Sequence, residues 1–337
     1  MIGFDCGTYN LVCCTRDDKK NFVCDKEVNA FLEIALEDRT FFQMMKTCDE
    51  PVPLVEFTNK AYAVGEKAVR LSYTIPQLEL RRPMKDGCVN PQERDAFEIM
   101  KIMIHSLLEG NVKTNNEVVY FSVPANAINA ETDADFHSKF LEDIFNIYES
   151  DNNLKVKPFP INEGLALVYA ELKDKNYTGI GISFGAGMVN LCYALFGVPV
   201  FRFAVVNSGD WIDKMAAKAT GESITFINQE KTKVNLSATP TTIVERAIQT
   251  QYRIMIEKTV TQIKKGLNEA GKKARADKPV DIVIAGGTSS PQGFDVLFRD
   301  VIKQAEIGIP LGNIVRPSDP LTSVARGCLI AAENSVQ

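Results

Sequence analysis

The chain has 337 residues, 45% of them hydrophobic and 24% charged, about twice the length of a usual single domain and unlike disordered, collagenous or coiled-coil chains. Its 38 basic and 43 acidic side chains leave a net charge of −5, so charge alone indicates no nucleic-acid partner. The opening Met1-Ile-Gly-Phe-Asp carries neither a basic nor an apolar leader region, and no window approaches the roughly 18 apolar residues that span a bilayer, which predicts a cytoplasmic protein.

Residues 2–5 form a short apolar run, Gly7-Thr8 a turn, and 11–15 a second strand rich in Val and Cys. This predicts a β-hairpin across Gly7, with glycine supplying the positive φ of a tight loop. Residues 54–70 read as a strand pair followed by a short helix over 66–71, and 81–87 as a loop in which Pro83 removes a donor and Gly87 supplies a turn. In 91–108, Phe97, Met100, Ile104, Leu107 and Leu108 recur at helical spacing. The apolar run 117–123, closed by Pro124, predicts a buried strand, then 130–148 a helix and 154–160 a strand.

The second half repeats the pattern. Strands are expected over 178–183 and 188–196 around the turn Phe184-Gly-Ala-Gly187, helices over 210–220 and 244–270, a strand over 280–285, a turn at Gly286-Gly-Thr288, and helices over 294–302 and 320–333. Two α/β halves of similar layout predict an internal duplication, with 155–162 as the crossover and a cleft between the halves.

Eight cysteines lie scattered, mostly among apolar neighbours, without a CxxC pair, and there are only two histidines, His105 and His137. That spacing predicts buried free thiols in a reducing compartment, with no disulfide framework and no metal site built from them.

Each glycine-bearing turn follows a short apolar strand, so the three turns together are able to aim backbone N–H groups at one anion. Each is also what an ordinary hairpin requires. Asp5, at the end of the first strand, has the chemistry to hold a hydrated Mg2+ beside phosphate.

The order of these motifs carries a resemblance. Asp5-Cys-Gly-Thr-Tyr-Asn10 resembles the first phosphate loop of the superfamily that contains actin, sugar kinases and DnaK-type chaperones. Ser183-Phe-Gly-Ala-Gly187 resembles its second phosphate loop, and Ile284-Ala-Gly-Gly-Thr288 its adenosine motif. Ala63-Val-Gly-Glu-Lys-Ala68, Arg82-Pro-Met-Lys-Asp-Gly87 and Asp319-Pro-Leu-Thr-Ser-Val-Ala-Arg-Gly327 are similar to segments of bacterial actins of the MreB and MamK type, so the likeness covers nearly the whole chain.

The resemblance implies a two-domain actin-like α/β fold of duplicated mixed sheets flanked by helices, with MgATP or ADP in the interdomain cleft. The implied domains are 1–160, with a small outer subdomain over about 31–82, and 161–337, with another over about 210–275. Gly7, Thr8, Tyr9 and Asn10 are expected around the terminal phosphates, and Ser183, Gly185, Ala186 and Gly187 on their other side. Gly286, Gly287 and Thr288 are expected against adenosine. Glu230-Lys-Thr-Lys-Val-Asn-Leu-Ser237 is similar to an adenosine-contacting helix, placing Glu230 and Lys233 near ribose and base, unless the two are a solvated helix face. Glu163 corresponds to the residue that positions the attacking water; by itself it reads as a helix-start glutamate. Ser183 stands where the superfamily usually has a metal-associated aspartate, and a neutral hydroxyl there predicts slow hydrolysis.

The activity implied is a filament-forming ATPase whose partner is itself, with an adaptor protein as a further partner. The alternatives are a DnaK-like chaperone, against which the chain's end at Gln337 leaves no substrate domain, and a small-molecule kinase, for which no acidic and amide cluster stands out. Phe41-Phe-Gln-Met-Met45 is an apolar cluster that reads as local core, or else as a membrane or lateral filament contact.

Overall fold

A computed structural model describes residues 1–34, 54–57, 60–74, 78–276 and 278–335. Residues 41–45 and Cys48 lie outside the described residues. No helix among the described residues is long and apolar enough to cross a membrane.

Two five-stranded sheets dominate. The first contains β1 (Ile2–Cys6), β2 (Asn10–Arg16), β3 (Phe22–Val28), β9 (Glu117–Val123) and β10 (Val156–Asn162), in the order β10-β9-β1-β2-β3. The second contains β11 (Gly179–Phe184), β12 (Val189–Leu195), β13 (Val198–Val205), β14 (Val280–Ala285) and β15 (Leu311–Val315), in the order β13-β12-β11-β14-β15. In each, an antiparallel trio continues into two parallel strands. Identical order and polarity in both halves is the signature of the expected duplication. The central strands β11 and β14 are buried along their whole length, as strands covered on both faces must be.

Between β3 and β9 the first half carries a three-stranded sheet, β4 (Phe31–Ile34), β6 (Lys60–Val64) and β5 (Leu54–Phe57), with α1 (Gly65–Thr74) against it. A two-stranded hairpin, β7 (Met84–Lys85) and β8 (Cys88–Val89), follows, turning through Asp86 and Gly87 at φ 49° and 77°. Helices α2 (Ala96–Leu108) and α3 (Ala134–Asn146) then close the first core. Phe145 of α3 stands edge-on to Phe4 at 5.3 Å and stacks with Phe121 at 5.0 Å, fastening the helix to two neighbouring strands.

The second half inserts helices instead: α5 (Gly209–Thr220), α6 (Ile224–Lys231) and the 28-residue α7 (Ile243–Ala270). A reciprocal capping box between Thr242 and Glu245 starts α7, and α8 (Phe294–Ala305) packs beside it.

Two helices cross between the halves. α4 (Glu163–Glu171) leaves β10 of the first sheet and packs on β11 and β12, whereas α9 (Ser323–Ser335) follows β15 of the second sheet and packs on β1 and β9. They meet where Gly327 lies directly against the Ala166 carbonyl, with no room for a Cβ. The expected crossover over 155–162 is therefore the strand β10, and α4 makes the crossing.

The cysteine expectation requires correction. Cys14 and Cys24 face each other in the β2–β3 ladder and are joined as a disulfide. Scattered spacing conceals a pair that an antiparallel register brings together. Cys6, Cys13, Cys88, Cys192 and Cys328 are buried thiols.

Candidate functional site

Both sheets end their first strand at the same cleft, of about 360 Å³. In the first half, the Gly7 amide donates to the Asn10 carbonyl at 3.0 Å, closing the turn between β1 and β2. Buried Asn29 braces it: its amide N–H donates to the Tyr9 carbonyl at 2.8 Å and its side chain to the Gly7 carbonyl at 3.0 Å. Gly7 does not adopt the positive φ that the sequence suggested. A Cβ there would lie 2.6 Å from the Asn10 carbonyl oxygen, so the turn needs glycine for close approach.

In the second half the Gly185 amide donates to the Met188 carbonyl at 2.9 Å. The Gly185 carbonyl in turn accepts from Ser208 Oγ and from Thr288 Oγ1, the latter at 2.7 Å, which ties the second turn to the third. Gly286 opens that third turn at φ 90°, and Ser289 closes it through its amide and its hydroxyl on the Gly286 carbonyl. A Cβ on Gly187 would come within 2.5 Å of the Gly87 nitrogen and 2.6 Å of Thr8 Oγ1. The two halves thus approach each other through glycine.

Two carboxylates sit at the floor. Asp5 accepts from Ser122 Oγ at 2.7 Å. Burial nevertheless raises its proton affinity well above the usual range, the Ser122 bond opposing only part of the rise. Glu163 is the first residue of α4, after the cap Asn162, whose side chain accepts from the Gly164 and Leu165 amides. Its carboxyl is raised further, first by burial and then by the nearby Asp5 charge, against hydrogen bonds from Ser183 and Asn190. Those two are cross-strand partners in β11–β12, so a single register position presents both donors. Among the described residues no cationic side chain is paired with either carboxylate.

The cleft brings together Asp5, Gly7, Thr8, Tyr9, Asn10, Glu163, Ser183, Gly185, Ala186, Gly187, Gly286, Gly287 and Thr288. It does not bring in Glu230 or Lys233. Glu230, in the last turn of α6, and Lys233, just beyond it, are bonded to each other at 2.7 Å away from the cleft lining. The α6 residues at the cleft are Asn228 and Lys231, with Thr232 just beyond. Lys231 Nζ is buried, 2.7 Å from Asp213 Oδ1 of α5 and 3.1 Å from the Gly209 carbonyl. Burial raises the Asp213 carboxyl while the Lys231 charge opposes the rise. Spacing offered a partial signal: Lys231 follows the buried Ile227 by four residues on one helix face and Lys233 lies beyond the helix, but Glu230, three residues after Ile227, falls near the same face. Pro320, Leu321 and Val324 supply an apolar wall that motif reading had treated only as a family segment.

A duplicated pair of mixed sheets, with a matching turn from each facing one cleft, is an actin-like fold. The chain belongs to the Volactin family, whose model matches residues 1–332. Among solved structures it is similar to the MamK double helical filament, at 15% identity and a TM-score of 0.72, covering 98% of each chain. It is also similar to MreB5 of Spiroplasma citri bound to ADP, at 15% identity and a TM-score of 0.69 over 100% of this chain and 98% of that one. The ethanolamine utilization protein EutJ from Carboxydothermus hydrogenoformans shares the fold at 14% identity and a TM-score of 0.54, over 98% and 88% of the two chains. No curated protein matches the sequence.

Proposed function

We propose that this chain binds ATP with magnesium in the cleft, hydrolyses it slowly, and assembles with copies of itself into a cytoplasmic, cytoskeletal filament. The observation that carries this reading is the pairing of the Gly7 and Gly185 turns across one cleft floored by Asp5 and Glu163. Similar solved structures support it: one is a MamK double helical filament, and two hold nucleotide, a non-polymerising MamK mutant bound to AMPPNP and MreB5 bound to ADP.

The residues fit the ligands. Glycines whose Cβ positions are already taken leave the turn backbones bare toward an anion, and the cleft at about 360 Å³ is of the size that buries small ligands. Asp5 and Glu163, whose proton affinity burial raises and which have no cation partner among the described residues, are an oxygen set suited to a hard divalent cation. Magnesium held there by Asp5 and phosphate oxygens would neutralise charge on the phosphates.

The chain's own residues divide the work. Turns 7–10 and 185–187 bind and orient phosphate by N–H donation, and Gly286, Gly287 and Thr288 border the adenosine. Glu163, oriented by Ser183 and Asn190, accepts a hydrogen bond from water and aligns it with the terminal phosphate. Its raised proton affinity keeps it a poor acceptor until positive charge enters the cleft. Ser183 adds no charge, which slows the step. The domain division we propose falls near residue 160, with 31–82 and 210–275 as the outer subdomains. Sedimentation and electron microscopy with MgATP, against nucleotide-free and EDTA controls, test the reading: filaments support it, and a monomer under every condition contradicts it.

A further inference from the structure

One ion pair ties the hairpin 81–89 of the first half to the second. Arg82 Nη2 lies 3.0 Å from Asp210 Oδ2 at the start of α5. The same guanidinium sits 5.9 Å from the Tyr9 ring centroid, on the first phosphate turn. The Asp210 amide donates to the Ala186 carbonyl of the second phosphate turn at 2.8 Å. Arg82 therefore contacts one turn directly and reaches the other through a single residue. It is not among the residues that line the cleft, and its Nη1 is buried without a partner.

The hairpin is seated at both ends. On its own side, Met84 enters the first core, the Val89 amide donates to Nδ1 of buried His137 at 3.2 Å, and Asn90 closes on the Pro83 carbonyl at 2.8 Å. On the far side, Gly87 lies against the Met188 side chain and the Gly187 backbone, and Cys88 shares a small apolar cluster with Met188, Ala204 and Ala125. The hairpin's own packing on the far side is apolar. The Arg82–Asp210 pair is charged and directional, and it is less than one-third exposed on both sides, where a guanidinium and carboxylate interact more strongly than on an open surface.

We infer that Arg82 is a positioning residue, which with Asp210 latches the hairpin 81–89 across the cleft and holds the two phosphate turns at a fixed separation, so that breaking the latch speeds nucleotide release. The release consequence rests on the nucleotide reading above, whereas the latch itself does not.

The test uses the full chain with Arg82→Ala, Asp210→Asn and the exchanged double variant Arg82→Asp with Asp210→Arg. Hydrogen–deuterium exchange on nucleotide-free protein reads the latch. Both single variants are expected to exchange about five- to tenfold faster at 83–89 and 185–188, with the exchanged pair recovering most of the protection and the α7 amides unchanged. Stopped-flow release of a fluorescent ATP analogue reads the consequence, with the same order among the variants and a similar increase in off-rate. Unchanged exchange in the single variants, or no recovery in the exchanged pair, overturns the latch. Altered exchange together with a wild-type chain that binds no ATP analogue leaves the latch standing and overturns the nucleotide reading. Altered exchange with an unaltered off-rate overturns the claim that the latch governs release.

Discussion

Gly7 and Gly185 make the same turn in the two halves: each amide donates to the carbonyl three residues on, at 3.0 and 2.9 Å, and each leaves too little room for a Cβ beside that carbonyl. The positions two residues earlier differ, Asp5 in one half and Ser183 in the other. This near-symmetry, with one charge missing, frames the expected behaviour of the site.

Gly187→Ala places a methyl against Gly87 and Thr8, where the two halves meet at the cleft. An overpacked contact of this kind costs about 1–3 kcal/mol. Because the strain falls between the phosphate turns, we expect ATP affinity to drop at least about tenfold, with a smaller loss in urea midpoint. Isothermal titration and urea unfolding on the same preparation separate the two effects.

The pH dependence follows from Glu163. Its folded carboxyl holds a proton to higher pH than the unfolded chain, whose reference value is 4.5. Below that value both states are protonated and the contribution to stability is fully present. As pH rises, the unfolded chain ionises first, and stability declines until the folded carboxyl has ionised as well. Glu163→Gln removes this loss, so the variant's stability relative to the parent should increase from about pH 4.5 towards pH 8, by about 1 kcal/mol or more in urea unfolding. Saturating magnesium should shrink the difference, because a cation favours the ionised parent.

Ser183→Asp restores a carboxylate to the second turn. Without divalent cation it adds a third carboxyl to the buried floor beside Asp5 and Glu163, so the melting temperature in EDTA should fall at neutral pH. With magnesium and ATP, phosphate release should increase. Rapid release in the parent, unaffected by Ser183→Asp, would sink the assignment of slow hydrolysis to this serine.

Lys231 and Asp213 form a buried pair at the cleft edge, with the side chains 10% and 3% exposed. Lys231→Met strands the Asp213 charge, which costs about 3–5 kcal/mol when a buried pair is broken. The double variant with Asp213→Asn should recover part of that loss in chemical denaturation, since it removes the orphaned charge.

Central strands were the most legible part of the fold. The mainly apolar runs at 117–123 and 280–285 match β9 and β14 residue for residue, because strands in the middle of a covered sheet are predominantly apolar and Pro124 and Gly286 mark where each stops. Edge strands were harder to read. β3 carries Asp25, Lys26 and Glu27 in succession, β13 begins Val-Pro-Val, and β15 contains Gly312 and Asn313; each lies at a sheet edge, where half the ladder is unpaired and polar residues or proline are tolerated. The β10 edge strand, with Pro158 and Pro160, was located but began two residues early in the sequence reading. At the site, glycine turns and Asp5 were visible because their chemistry is local. The Arg82–Asp210 and Lys231–Asp213 pairs join segments far apart in the chain, and single-residue patterns carry no record of such meetings.

The central claim is that nucleotide in this cleft drives self-assembly, and the most direct measurement is the sedimented fraction of the parent chain in MgATP against EDTA, beside Gly187→Ala, with electron microscopy of each pellet. The account predicts filaments from the parent only with MgATP, and a critical concentration raised several-fold by Gly187→Ala. A parent that binds MgATP yet stays monomeric at every concentration and salt, or that forms the same filaments without nucleotide, would contradict it.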